Sequence, residues 1–256
     1  TIVATYALAW HTLWEQQREP VGQRKRSEWA LAAAAVVAFN PQFIYLSAAI
    51  NNDVIAALTG AGILLASLAV IRDGASWRNL LALGGASGLG LLAKLQVGAL
   101  GVPVILALAL AAWQSRNRIP WMRGLLRSVV TVGSAALAVS GWWFWRNLRL
   151  YGEPTGLRVQ QALWGGRSVT QNLWAVWQGL PQVWASLWGQ FGYGQIPLPS
   201  WMVIGLFVAV LICFGGYVLR RPLGYDRRAI GLLAIATLMV TAAVIIYTAA
   251  NPAGAM

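Results

Sequence analysis

The sequence predicts an all-α protein whose helices form a polytopic bundle across a membrane, and three observations support this prediction. Hydrophobic residues make up 58% of the 256 residues and charged residues only 10%, whereas a soluble domain carries about 25% charged residues. The apolar residues are gathered in runs long enough for a helix to cross a bilayer. Loops rich in Lys and Arg separate these runs, as is typical of membrane proteins.

About eight spans are predicted along the chain. The run 80–113 is too long for one span, because a helix of 34 residues would measure about 50 Å against a hydrocarbon core of about 30 Å. This run is therefore predicted to form a hairpin of two short spans that turns near Lys94. Asn40 and Pro41 interrupt the second span. The predicted spans are 1–14, 29–50, 54–71, the two within 80–113, 125–145, 201–219 and 229–248.

The basic residues are distributed unevenly between the two ends of these spans. Alternating the loops across the membrane assigns 14 of the 19 Lys and Arg residues to one side. Because Lys and Arg in short loops remain in the cytoplasm, this side is predicted to be cytoplasmic. The formal net charge of +12 then reflects membrane topology, and nucleic acid is not expected as a partner. The cytoplasmic loops are 15–28, 72–79, 114–127 and 220–228, and the five remaining cations are Lys94, Arg146, Arg149, Arg158 and Arg167.

Asp53, Lys94, Arg146 and Arg149 are predicted to emerge on the outer face, at the ends of three different helices. An acidic residue at membrane depth usually belongs to a pathway or a site, although Asn52 or Asp53 could instead cap the helix that follows. Lys94 could bind a phosphate, or its ammonium group could simply extend to the membrane surface. These residues therefore form the candidate site, with a structural alternative for each.

The stretch 141–157 marks the point where the sixth span leaves the membrane. Trp142 to Trp145 form an aromatic belt, and Trp favours the membrane–water interface. If the helix continues for one more turn, Arg146 and Arg149 share a face from which they could bind a lipid phosphate. The alternative is that both arginines are interfacial anchors.

The region 146–200 is predicted to be an external, interfacial segment of the same domain. Its aromatic residues recur at spacings of three and four, which is a helical stripe suited to lying in the interface plane. Such a helix could merely cover the bundle, or it could form a wall or a lid for a lipid chain. The residues of the stripe are Trp174, Trp177, Pro181, Trp184 and Trp188.

Several other kinds of site are not indicated by the sequence. It contains no nucleotide-binding loop, no His/Cys metal cluster and no nucleophile triad, and the glycines of residues 84–90 lie within a span, where they indicate close helix packing. Its one cysteine, Cys213, lies in an apolar run and is predicted to be a packed thiol. One carboxylate and three cations on one face suit an anionic lipid substrate, but they do not separate a transferase from an ion-coupled transporter.

Five short motifs, in their order along the chain, resemble the multi-spanning glycosyltransferases of the GT-C fold. Within that fold, the chain is similar to the bacterial dolichyl-phosphate-mannose-protein mannosyltransferase-like and RgtA/B/C/D-like membrane proteins. Two positions depart from the family pattern, with Ala93 where Thr is usual and Glu153 where Asp is usual. The motifs are Asn40-Pro41-Gln42-Phe43, Asn51-Asn52-Asp53, Gly90-Leu91-Leu92-Ala93-Lys94, the element 141–157 and Trp188-Gly189-Gln190-Phe191-Gly192.

This resemblance implies a glycosyltransferase of the cell envelope that moves a hexosyl or mannosyl group from a polyprenyl-phosphate carrier to a lipid, glycan or protein acceptor, with inversion. The site would lie on the outer face of the bacterial inner (plasma) membrane. The resemblance further implies that Asp53 assists the acceptor or holds a divalent cation, Mg²⁺ or Mn²⁺, and that Lys94 and Arg146 bind the donor phosphate. Arg149, which would share a helix face with Arg146, is the third predicted ligand of that phosphate. The supporting residues would be Asn51, Asn52, Trp142 and Tyr151.

We expect residues 1–256 to form one glycosyltransferase-like domain that is truncated at both ends, because residues 1–14 resemble the tail of the family's second span. The family's main catalytic carboxylate lies in the first external loop, before that span. The fragment is therefore not expected to work alone. The alternative function is a transporter or flippase for a lipid-linked or anionic solute.

Overall fold

A computed structural model describes residues 1–12, 20–49, 51–156, 158, 169–192, 195–220 and 226–250. Within these residues the chain is almost entirely helical, and its only strands are two short antiparallel ones, which confirms the predicted all-α class. The elements are α1 (Ile2–Thr12), α2 (Pro20–Ala38), α3 (Pro41–Ala48), α4 (Asp53–Asp73), α5 (Trp77–Ala93), a 3₁₀ helix (Leu95–Leu100), α6 (Gly101–Gln114), α7 (Trp121–Tyr151), α8 (Val169–Trp188), β1 (Gln190–Phe191), β2 (Ile196–Pro197), α9 (Ser200–Arg220) and α10 (Arg227–Ala250).

Four stretches of the described chain are long and apolar enough to cross a membrane. The two halves of the predicted second span, in α2 and α3, would make a fifth span if they are counted together. The remaining three of the eight predicted spans correspond to shorter helices or apolar stretches, which lie in α1, α5 and α9. The four full-length spans are Asp53–Asp73, Leu95–Gln114, Trp121–Tyr151 and Arg227–Ile246.

The predicted interruption at Asn40 and Pro41 is a bend of 59° between α2 and α3. Pro41 occupies the first turn of α3, where its missing N–H group leaves no hydrogen bond unmade. A proline also disfavours the helical conformation in the residue before it, and Asn40 accordingly has φ −69° and ψ 118°. The Asn40 side chain accepts a hydrogen bond from the Phe43 N–H group at 2.9 Å and so caps the new helix.

The predicted hairpin at Lys94 is confirmed by the contacts at its two ends. Helix α5 ends at Ala93, Lys94 is extended, and the chain returns through the 3₁₀ helix into α6. The Asn52 amide donates to the Ala93 carbonyl at 2.7 Å, which places the end of α5 beside the start of α4. Gln114, at the end of α6, lies within 3.0 Å of the Ile71 carbonyl near the end of α4. Helices α5 and α6 therefore run in opposite directions.

The glycines of α5 allow it to pack closely against α7. A Cβ atom added at Gly84 would lie 2.6 Å from the Val132 carbonyl oxygen, and one added at Gly88 would lie 2.7 Å from that of Ala136. Residues four apart lie on one face of a helix, so this face has no space for side chains. The prediction of close packing is confirmed, and the matching order of the contacts shows that α5 and α7 run parallel.

The predicted cytoplasmic loops meet at one end of the bundle. Arg72, at the end of α4, pairs with Asp226 at 3.1 Å and also donates to the His11 carbonyl in α1. The Asp226 N–H group donates to the Thr12 carbonyl at 3.1 Å. The side-chain nitrogen of Arg26 donates to the Trp10 carbonyl. These contacts join α1, α2, α4 and the start of α10, as the alternation of the loops requires.

Replacement of Asp226 by Ala is expected to lower the free energy of unfolding by about 3 kcal/mol, because it removes one partner of a largely buried ion pair with Arg72. The Asp226 carboxylate also caps α10 by accepting from the N–H groups of Arg228 and Ala229. Asp226→Asn keeps a capping oxygen and is expected to be less harmful by about 1 kcal/mol. Thermal unfolding of both variants in detergent measures the two losses; wild-type stability in Asp226→Ala would contradict this role.

Apolar side chains cover much of the outside of the bundle, as expected for helices in contact with lipid. Phe39 is 79% exposed and Trp201 is 73% exposed. Cys213 is exposed as well, between exposed Ile212 and Phe214 on α9. The prediction that Cys213 is packed inside the chain is therefore wrong, because its apolar surroundings in sequence belong to an outward-facing surface.

Candidate functional site

The start of α4 is held in place by two asparagines. Asn51 accepts a hydrogen bond from the Asp53 N–H group at 3.0 Å, and its amide donates to the Leu46 carbonyl at 3.4 Å. Asn52 makes no capping bond with its side chain, and its amide instead donates to the Ala93 carbonyl at the end of α5. The cap predicted from Asn52 or Asp53 is thus supplied by Asn51, which leaves the Asp53 carboxylate available for another contact.

The carboxylate of Asp53 forms an ion pair with the ammonium group of Lys94. Asp53 is the first residue of α4 and Lys94 follows the last residue of α5, so each charge has the sign that its helix end favours. The two side chains are 38% and 36% exposed. Exposed ion pairs stabilise a protein by only about 0–1 kcal/mol, so this pair is accessible to a ligand and contributes little to stability.

The arginines of the candidate site lie further along α7. This helix continues beyond the aromatic belt to Tyr151, so the predicted extra turn is confirmed. Arg146 and Arg149 are exposed, and the Arg149 guanidinium lies 5.6 Å from the centre of the Trp145 ring. In the described part of the chain, no hydrogen bond or ion pair joins either arginine to Asp53 or Lys94.

Helix packing nevertheless places Arg146 close to the level of the ion pair. Gly88 packs against Ala136, and the two helices run parallel. Lys94 and Trp142 are each six residues beyond this contact, so they lie at about the same level. Arg146 is then about one helical turn further out, or roughly 6 Å. Trp142 is 61% exposed and Tyr151 is 50% exposed, so both predicted supporting residues present their rings at this end of the bundle.

Two residues of the 141–157 motif are buried, although sequence reasoning assigned them no role. The Asn147 amide donates to the Pro154 carbonyl at 3.2 Å, and the Glu153 carboxylate accepts from the Arg158 N–H group at 2.6 Å. Gly152 ends α7 in the left-handed conformation, with φ 71°, a conformation that favours glycine. These contacts fold the turn 152–156 back onto α7. The sequence signal for this turn was a polar residue near the end of the helix, Asn147, followed by Gly152-Glu153-Pro154.

An apolar cavity lies between α4, α5, α6 and α7. Its volume is about 750 Å³. Leu91 and Val97, three residues on either side of Lys94, contribute to its wall, and Leu108 and Val132 line it deeper in the bundle. Asp53 and Lys94 do not line the cavity themselves.

Within the predicted external segment, residues Val169–Trp188 form a helix, as predicted from the spacing of the aromatic residues. Helix α8 contains the whole stripe, including Pro181. The Trp184 indole donates to the Val203 carbonyl at 3.3 Å and packs edge to face on Phe207, which joins α8 to α9. Trp177 is 66% exposed. Residues 157 and 159–168, including Arg167, and the side chain of Trp174 lie outside the described residues.

The donor groups at the site do not match a tightly held metal ion. Across the ranges that the structure describes, no three His, Cys, Asp or Glu side chains are grouped so that they could hold a metal. Asp53 is also engaged by Lys94, and divalent cations such as Mg²⁺ prefer several oxygen ligands. A divalent cation at Asp53 remains a prediction.

Apolar helices long enough to cross a bilayer, with an accessible ion pair at one end, define a multi-pass membrane protein. A model of the dolichyl-phosphate-mannose-protein mannosyltransferase family matches residues 3–145, more than half of the chain. The chain belongs to this family of membrane glycosyltransferases of the GT-C type. It matches none of the curated proteins and none of the solved structures with which it was compared. The family match includes Asp53 and Lys94 and ends immediately before Arg146.

Proposed function

We propose that the protein transfers a hexosyl group, mannosyl by analogy with the family, from a polyprenyl-phosphate carrier to an acceptor at the outer face of the bacterial inner membrane. The observation that carries this proposal is the accessible Asp53–Lys94 pair, together with an apolar cavity whose lining residues Leu91 and Val97 are each three positions from Lys94 in the sequence. A lipid phosphate needs both a cation for its head group and apolar space for its chain. The family match supports glycosyl transfer over the transporter or flippase alternative.

The proposed reaction is a displacement at the anomeric carbon of the sugar. The acceptor oxygen forms the new bond, and its proton passes to a carboxylate base, which the resemblance assigns to the first external loop. The bond from the anomeric carbon to the phosphate oxygen breaks, so the lipid phosphate leaves with the electron pair. Lys94 is proposed to leave Asp53 for the phosphate and to stabilise its growing charge. Asp53 then accepts a hydrogen bond from a second, non-reacting donor group of the acceptor and so orients the reacting hydroxyl.

Arg146 is proposed to assist this step by binding the donor phosphate from α7. In the whole protein, Arg146→Ala is expected to lower transfer from a labelled polyprenyl-phosphate sugar by about 100-fold, as is usual when a donor to transition-state charge is removed. Arg158→Ala is the matched control, because Arg158 is exposed and its side chain has no proposed role; its activity is expected to equal that of the wild type.

The same assay separates the two candidate functions. A wild-type protein that transfers no sugar from any polyprenyl-phosphate donor, yet moves such lipids or anionic solutes across a reconstituted bilayer, would overturn the glycosyltransferase proposal. Normal transfer by Arg146→Ala would remove Arg146 from the site without affecting the proposal for Asp53 and Lys94.

A further inference from the structure

Helix α3 makes three hydrogen bonds to one distant segment of the chain, residues 187–192, which we call the docked segment. The Asn40 amide donates to the Leu187 carbonyl at 3.0 Å. Gln42 accepts from the Gln190 N–H group at 2.8 Å, and Tyr45 accepts from the Gly192 N–H group at 3.1 Å. Each bond joins a side chain of the first turns of α3, or its cap, to a backbone group about 147 residues away.

These bonds meet backbone groups that would otherwise lack partners. Leu187 lies in the last turn of α8, where carbonyl groups have no partner within the helix. Asn40 therefore caps the start of α3 and the end of α8 with the same side chain. Gln190 lies in β1 and Gly192 follows its last residue, Phe191. The N–H groups of Gln190 and Gly192 both point toward α3, as their bonds to Gln42 and Tyr45 show.

Packing supports the same contact. The Tyr45 and Phe191 rings meet edge to face, with their centres 5.3 Å apart. On its other side, the docked segment pairs with β2, where the Leu198 N–H group donates to the Gly189 carbonyl at 3.1 Å. A Cβ atom added at Gly189 would lie 2.7 Å from the Leu198 side chain. The docked segment is thus held between α3 and β2.

Helix α3 leads directly to the candidate site. It ends at Ala48, and Asn51 bonds both to the Leu46 carbonyl in its last turn and to the Asp53 N–H group at the start of α4. A helix of eight residues is only about 12 Å long. One short helix and one capping residue therefore connect the docked segment to Asp53.

We propose that Asn40, Gln42 and Tyr45 are positioning residues that anchor the external segment to α3 and, through Asn51, set the position of Asp53. The end of α8 is then fixed to α3 and does not move freely. The effect on Asp53 rests on the proposed function, whereas the anchoring itself does not. None of the three side chains needs to touch a substrate for this role.

Hydrogen–deuterium exchange of the whole protein in detergent tests the anchoring. The double variant Gln42→Ala/Tyr45→Phe removes both acceptors, and peptides covering residues 187–192 are expected to exchange about tenfold faster. Gln42→Glu keeps an acceptor oxygen and is expected to restore most of the protection that Gln42→Ala loses. Ser47→Ala is the matched control, because Ser47 is exposed on the same helix. Unchanged exchange in the double variant would overturn the proposal.

The transfer assay tests the positioning role. Gln42→Ala/Tyr45→Phe is expected to lower kcat by about tenfold while KM for the lipid donor stays the same, because Asp53 is misplaced and Lys94 is retained. Faster exchange with an unchanged kcat would support the anchoring of residues 187–192 to α3, but it would overturn the proposed effect on the position of Asp53. If the wild type transfers no sugar, the proposed function fails, and the exchange result still decides whether α3 anchors the segment.

Discussion

Asp53→Asn is expected to lower sugar transfer by the whole protein by about 100-fold, the loss that a misplacement of a reacting group by about 1 Å can cause. The amide cannot carry the negative charge that pairs with Lys94. It remains similar in size, and the Asn51 cap binds the backbone N–H group of residue 53 and not its side chain. The rate of sugar transfer is therefore expected to fall, while the start of α4 keeps its structure.

Kinetics and membrane insertion distinguish this result from simple unfolding. Because Lys94 is left free for the phosphate, KM for the lipid donor is expected not to rise, so the loss appears in kcat. Asp73→Asn is the matched control, since Asp73 is the last residue of the same helix and is exposed at the opposite end. Wild-type kcat in Asp53→Asn, with normal insertion, would remove Asp53 from the proposed mechanism.

Gly88→Ala is expected to destabilise the bundle by about 1–3 kcal/mol, because the new methyl group would overlap the backbone of α7. The nearest atoms are the Ala136 carbonyl oxygen at 2.7 Å and the Val139 Cβ atom at 2.8 Å, and backbone cannot rotate away as a flexible side chain can. Gly84→Ala is expected to behave in the same way against Val132. Together the two variants test whether α5 and α7 depend on close backbone contact.

Gly85→Ala provides the control within the same turn of α5. No atom lies within 4 Å of the position of its added Cβ atom, and alanine favours a helix over glycine by about 1 kcal/mol. Its melting temperature in detergent is expected to equal or exceed that of the wild type, whereas Gly88→Ala is expected to melt about 2–10 °C lower. Equal melting of the two variants would show that the α5–α7 contact adjusts without loss.

Much of the fold could be predicted because its signals are local in the sequence. The length of an apolar run limits a span, Pro41 forces a break in the helix before it, and the glycines at 84 and 88 share one helix face. The break at Lys94 followed from the length of the run 80–113. Each of these inferences used neighbouring residues and a helical period, and the described structure agrees with them.

The site could be predicted only as a set of candidate residues. The sequence by itself determined that the chain is a bundle of membrane helices with Asp53 and Lys94 at helix ends. Only the tertiary structure decided that these two residues pair across 41 positions, that Asn51 is the cap, and that α3 binds residues 187–192. The physical reason is that residue type and period fix which face of a helix is apolar, whereas contacts between distant side chains and backbone depend on how the helices pack together.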